Sequence, residues 1–80
     1  MSIYVSPFTA LEYLLRSGLT KRGVARYAGV NIYSVYRILK RKNDPTYVVR
    51  PALGEKLRQA FERRREEMEQ DAAIRKEMER

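Results

Sequence analysis

Between Asn31 and Lys42 the chain sets Tyr33, Tyr36, Arg37 and Lys40 among the apolar residues Ile32, Val35, Ile38 and Leu39. At helical spacing, Val35, Ile38 and Leu39 make one face and Ile32, Tyr33, Tyr36, Arg37 and Lys40 the other. A solvated helix face prefers charged and small polar residues, so an isoleucine and two tyrosines beside an arginine predict a surface that is meant to be covered. The chemistry on offer is recognition. A guanidinium donates two parallel bonds to paired acceptors such as guanine O6 and N7, an isoleucine packs on a thymine methyl, and a tyrosine hydroxyl bonds a base or a phosphate. Bond-breaking chemistry lacks its usual groups. There is no histidine and no cysteine, no carboxylate cluster in the part that would be compact and no glycine-rich phosphate loop, so no catalytic residue, metal site or cofactor is expected.

The elements that must position these residues span Thr20 to Leu39 and read as two short helices joined by a tight turn. Val24, Ala25 and Ala28 share one face of the first helix, and Val30 fills the corner. Ala25 is small where two steeply crossing helices come close. Gly29 supplies the left-handed backbone of the turn. Thr20 and Asn31 stand where side-chain oxygens cap the two helix starts. Tyr27 is expected to pack inward.

Ala25, Gly29, Val30, Val35 and Ile38 occupy the small and apolar places of a helix-turn-helix, and the run Ala25-Arg-Tyr-Ala-Gly-Val-Asn-Ile-Tyr-Ser-Val-Tyr-Arg-Ile-Leu39 resembles the lac-repressor-type DNA-binding domain of the phage and bacterial repressors. The close resemblance covers about a quarter of the chain. It implies that Ile32, Tyr33 and Arg37 touch base edges in the major groove and that Asn31 and Ser34 lie beside the DNA backbone. Tyr36 joins the base-reading set from its place on the same face. Ile32 and Tyr33 depart from the aromatic and the amide often found in that family, so its sequence preference does not transfer. In this docking geometry the first helix of the motif crosses the backbone, which makes Thr20, Lys21 and Arg22 phosphate contacts. Lys40, Arg41 and Lys42 close the second helix, favourable at a helix C-terminus and well placed for phosphate.

In chain order, the run Ile3-Tyr4-Val5 is β-prone but too short to stand alone, and Tyr47-Val48-Val49 could pair with it as a two-stranded element, 3–5 with 47–49, within or between subunits. A mobile N-terminal arm is the other reading. Ser6-Pro7 opens a first helix of about 7–17, with Thr9-x-x-Glu12 a possible capping box one turn later. Phe8, Leu11, Leu14 and Leu15 form its apolar face, and Ser17-Gly18 ends it. Helices of about 21–28 and 32–41 follow. Asn43-Asp44-Pro45 makes a turn, and Arg50, at the end of the loop it opens, could reach the DNA backbone. A fourth helix begins at 51, with Leu53, Leu57, Ala60 and Phe61 closing the core and Gly54 a weak spot in its second turn. Pairs such as Arg63 with Glu67 and Arg65 with Glu69 lie four apart and support its continuation.

The expected fold is therefore all-α: a compact helix-turn-helix domain over 1–65, of about four helices, followed by a charged helical extension or tail over 66–80. Residues 1–65 carry a net charge of +10 and residues 66–80 a net charge of −3. The positive charge belongs to the part with the motif and favours an anionic partner. The apolar residues of the last stretch hold no heptad, which excludes a leucine zipper, yet Phe61, Met68 and Ala72 could join a second copy in a homodimer that sets two recognition helices about one DNA turn apart. No segment is apolar enough to span a membrane and no signal-peptide layout is present, so a cytoplasmic protein is expected. Without a second domain, a small-molecule effector is not expected.

The function these readings imply is sequence-specific binding to double-stranded DNA by a small transcriptional regulator, a repressor of phage, plasmid or mobile-element type that acts by operator occupancy as a dimer. An architectural or excisionase-like recombination accessory would use the same fold to bend DNA. A protein-interaction module would use Ile32, Tyr33 and Tyr36 on another protein.

Overall fold

Serine, threonine and asparagine open the first three helices because each offers a side-chain oxygen to an amide that has no partner in the first turn. In the computed structural model, which describes residues 5–78, α1 (Pro7–Arg16) starts with Ser6 Oγ accepting the Thr9 amide, α2 (Lys21–Ala28) with Thr20 Oγ1 accepting the Gly23 amide at 3.0 Å, and α3 (Ile32–Lys40) with Asn31 Oδ1 accepting the Tyr33 amide at 2.9 Å. The Thr9–Glu12 box does not form. The Thr9 hydroxyl accepts from Ser6 Oγ, and Glu12 pairs instead with Lys42 at 3.5 Å. α1 and α3 each stop one residue short of their expected ends, because Ser17 and Arg41 serve as caps.

Gly29 sits at φ 70°, ψ 36°, and the Val30 amide turns back to the Ala25 carbonyl at 2.9 Å. This left-handed corner is what lets α3 leave α2 at once. α4 (Pro51–Met78) begins with proline at its first position, where a missing amide hydrogen costs nothing. All four helices feed one core: Ala10, Leu11 and Leu14 from α1, Val24 and Ala25 from α2, Val35 and Ile38 from α3, and Leu57 and Ala60 from α4. Leu39, expected beside Val35 and Ile38, is half-buried at its edge. The fold is all-helical, with a long last helix. Among the described residues no helix is long and apolar enough to cross a membrane.

Among the described residues there is also no strand. Ile3 and Tyr4 of the expected ribbon lie outside the described residues. Its other half alternates, but against helices: Tyr47 and Val49 turn in, Tyr47 edge-on to Phe8 with ring centres 6.3 Å apart, while Val48 stands out. An extended segment lying across a helical core shows the same period of two as a strand. The preceding turn is tied by Asp44, whose carboxylate accepts the Thr46 amide and hydroxyl. The Thr46 hydroxyl, more than any charge, holds that carboxyl below its ordinary range.

Gly54, in the second turn of α4, lies against the start of α1. A Cβ there would lie 3.2 Å from Pro7 Cγ, so the glycine's cost in helix propensity is offset by close packing.

α4 also holds the C-terminal ends of α1 and α2. Arg64 donates from Nε to Ser17 Oγ at 3.0 Å and from its terminal nitrogen to the Ser17 carbonyl at 2.9 Å. Arg63 donates to the Tyr27 carbonyl at 2.6 Å and stacks on the Tyr27 ring at 4.2 Å. Lys56 reaches the Gly29 carbonyl at 3.4 Å. Cations thus meet the negative ends of α1 and α2, where the last carbonyls lack helical partners. The expected Arg63–Glu67 pair is absent because Tyr27 takes Arg63. Arg64 bonds Glu67 instead, and Arg65–Glu69 forms at 3.5 Å. Arg64→Ala is expected to lower stability by about 1–2 kcal/mol in urea unfolding. Arg65→Ala, which breaks only an exposed pair, should cost under about 0.5 kcal/mol. Equal effects would contradict the capping role.

Beyond Arg64, α4 leaves the body. Met68, Ala72, Ile74 and Met78 are exposed along it, and the molecule is drawn out to 50 Å on its long axis.

Candidate functional site

With Val35 and Ile38 buried, the far side of α3 presents Tyr33, Tyr36, Arg37 and Lys40 at spacings of three and four, which places them on one face. Tyr33 is 72% exposed and Tyr36 47%, high values for rings in a domain with so little apolar surface to spare. Lys21, at the start of α2, holds its ammonium 5.7 Å above the Tyr36 ring, so the first helix of the pair braces a side chain of the second. No aspartate or glutamate occurs between Glu12 and Asp44. The face is therefore cationic and aromatic, with no carboxylate on α2 or α3 to neutralise it.

Ile32 departs from expectation. It is half-buried and packs against the core, and it lines a shallow hollow with Arg22, Ala25, Arg26 and Val30. At the first turn of α3 it still lies next to α2, and the corner at Gly29 folds it under. Tyr27 turns inward as expected, its hydroxyl buried without a hydrogen-bond partner among the described residues.

The polar residues assigned to the DNA backbone fall into two groups. Thr20, Lys21, Arg22, Asn31, Lys40 and Arg50 are exposed. Asn31 uses its carbonyl oxygen as the cap, which leaves its amide nitrogen free to donate. Ser34 is half-buried and lines the same hollow as Arg37 and Arg50. Arg41 and Lys42 are engaged inside the chain: Arg41 lies 3.8 Å from the Asp44 carboxylate and 5.9 Å above the Tyr47 ring, and Lys42 lies 3.5 Å from Glu12. Both pairs are exposed and weak enough to be exchanged for phosphate.

On α4, Phe61 is half-buried. It packs against the core, its ring edge-on to Tyr13 with centres 4.9 Å apart. Met68 and Ala72 are exposed on the extension. Sequence reasoning missed Lys56, which the fold brings to the Gly29 corner from 27 residues away, and Val48, 80% exposed beside Arg37 and Arg50. Lys56 could not have been found from spacing, since only tertiary packing joins it to the motif.

Comparison of the chain with protein-family models, with curated proteins and with solved structures gives no match in any of the three.

Proposed function

We propose that the protein binds double-stranded DNA at specific sequences, with α3 in the major groove, and regulates transcription by occupying an operator. The observation that carries this reading is the face formed by Tyr33, Tyr36, Arg37 and Lys40, exposed on a helix that follows a glycine corner, with no carboxylate on α2 or α3. A flat guanidinium among cations suits a groove lined by base acceptors and flanked by phosphates. Thr20, Lys21 and Arg22 at the start of α2 lie where one strand's backbone would cross. Asn31 and Ser34 serve the backbone beside α3. Ile32, half-buried, offers only an edge to a base.

One such body makes few contacts, and tight specific binding requires more. A homodimer through Met68 and Ala72 on the α4 extension would double them. Selection of bound duplexes from a random pool by the full-length protein tests the reading. The expected product is an enriched motif with two-fold symmetric half-sites, centred about 10 base pairs or a multiple of that apart. Failure to enrich any motif, with affinity unaffected by salt, would remove it. Several tandem sites without symmetry would favour the recombination accessory. In sedimentation velocity at micromolar concentration, Met68→Asp is expected to shift the protein from dimer to monomer, and an unchanged profile would exclude that interface.

A further inference from the structure

Two adjoining hollows, of about 190 and 280 Å³, run between α3 and the opening turns of α4 and share Ser34, Arg50 and Leu53 as a common wall. Arg37 stands at one end and Lys56 at the other, with Asn31 beside it. No aspartate or glutamate lines either hollow. The absence matters, because most cations of α4 are already engaged: Arg58 with Glu55 and Glu62, Arg64 with Ser17, Arg65 with Glu69, Arg75 with Asp71. Among the described residues, Arg37, Arg50 and Lys56 take part in no ion pair, although three helix-linked segments bring them to one groove. Like charges gathered without a counter-charge are a place for an anion.

We propose that this groove seats one phosphodiester group of the bound duplex, with Lys56 and Arg50 as its two cations and the Asn31 amide and Ser34 hydroxyl as neutral donors. The proposal rests on the DNA-binding reading above, which already gives Asn31, Ser34 and Arg50 to the backbone, and adds Lys56 and a single phosphate that all four share. Lys56 holds the Gly29 carbonyl by a long bond of 3.4 Å, which leaves two ammonium hydrogens for an incoming oxygen. Because Lys56 belongs to α4 while Asn31 and Ser34 belong to the corner and α3, a phosphate held among them ties the strand to two elements. It thereby fixes how deep α3 sits in the groove. Arg37 is left to face the bases.

The test is the salt dependence of binding to a mixed-sequence duplex of about 30 base pairs, with the full-length protein. A lost phosphate contact lowers the log–log salt slope by about 0.9 and weakens binding roughly 5- to 10-fold near 0.1 M salt. Lys56→Gln is expected to show both, Lys56→Arg to restore the slope, and Lys76→Gln, on the extension, to change neither. Since Lys56 also caps α2, thermal unfolding is read beside binding. Should Lys56→Gln melt early, Arg50→Gln supplies the same slope change without touching that cap. Slopes unchanged in both variants, with the parent still binding duplex in a salt-dependent way, would overturn the seat and leave the DNA reading intact. A parent protein with no affinity for duplex would overturn both.

Discussion

Leu57→Ala is expected to cost about 2–5 kcal/mol, a large fraction of a stability on the order of 4–12 kcal/mol for a chain of this size. Leu57 is fully buried where α4 crosses the core. It is the anchor that joins the last helix to the other three. Deleting it leaves a void that the rigid neighbours Leu11, Leu14 and Val24 cannot fill, because each is itself fully buried. The melting midpoint followed by circular dichroism should fall by about 10 °C or more. A loss under about 1 kcal/mol would mean that α4 does not dock through this residue.

Arg37→Ala should leave stability nearly untouched and change recognition. Its side chain is exposed and takes part in no ion pair among the described residues. If it forms paired bonds with a guanine, its removal costs about 1–3 kcal/mol, roughly 5- to 150-fold, and relaxes preference at a single base pair. Lys21→Ala, by contrast, should weaken binding to every duplex alike and reduce the salt slope. Repeating the random-pool selection with each variant separates the two patterns. An Arg37→Ala motif identical to the parent's would withdraw Arg37 from the bases.

The helix boundaries were readable because they are written in local chemistry. Ser6, Thr20 and Asn31 cap within three residues of themselves, and Gly29 needs only its own φ. The core was readable for a related reason: Leu11, Leu14, Val35, Ile38 and Leu57 repeat at the helical period. What escaped is everything that depends on where two distant segments meet. Arg63 and Arg64 had carboxylates four and three residues away, yet carbonyls at the ends of α2 and α1 compete for them, and a helix end offers a fixed cluster of acceptors where a solvated glutamate offers a mobile one. Phe61 was legible as a core residue from its helical spacing, but its edge-on partner Tyr13, 48 residues earlier in the chain, was not. Ile32 and Gly54 each have a tertiary neighbour that the sequence does not show: Ile32 is half-buried against the core, and Pro7 packs close to Gly54.

The three cations that α4 lends to the ends of α1 and α2 also make the protruding stretch beyond Arg65 a lever. Its root is fastened to the ends of α1 and α2 through Ser17, Tyr27 and Gly29, so a torque at its tip is passed to those two helices. Each residue inserted near Glu66 would swing the distal apolar side chains by about 100° around the shaft. The length of this spar, to the single residue, therefore sets the angle at which anything gripping its tip aims the tyrosines.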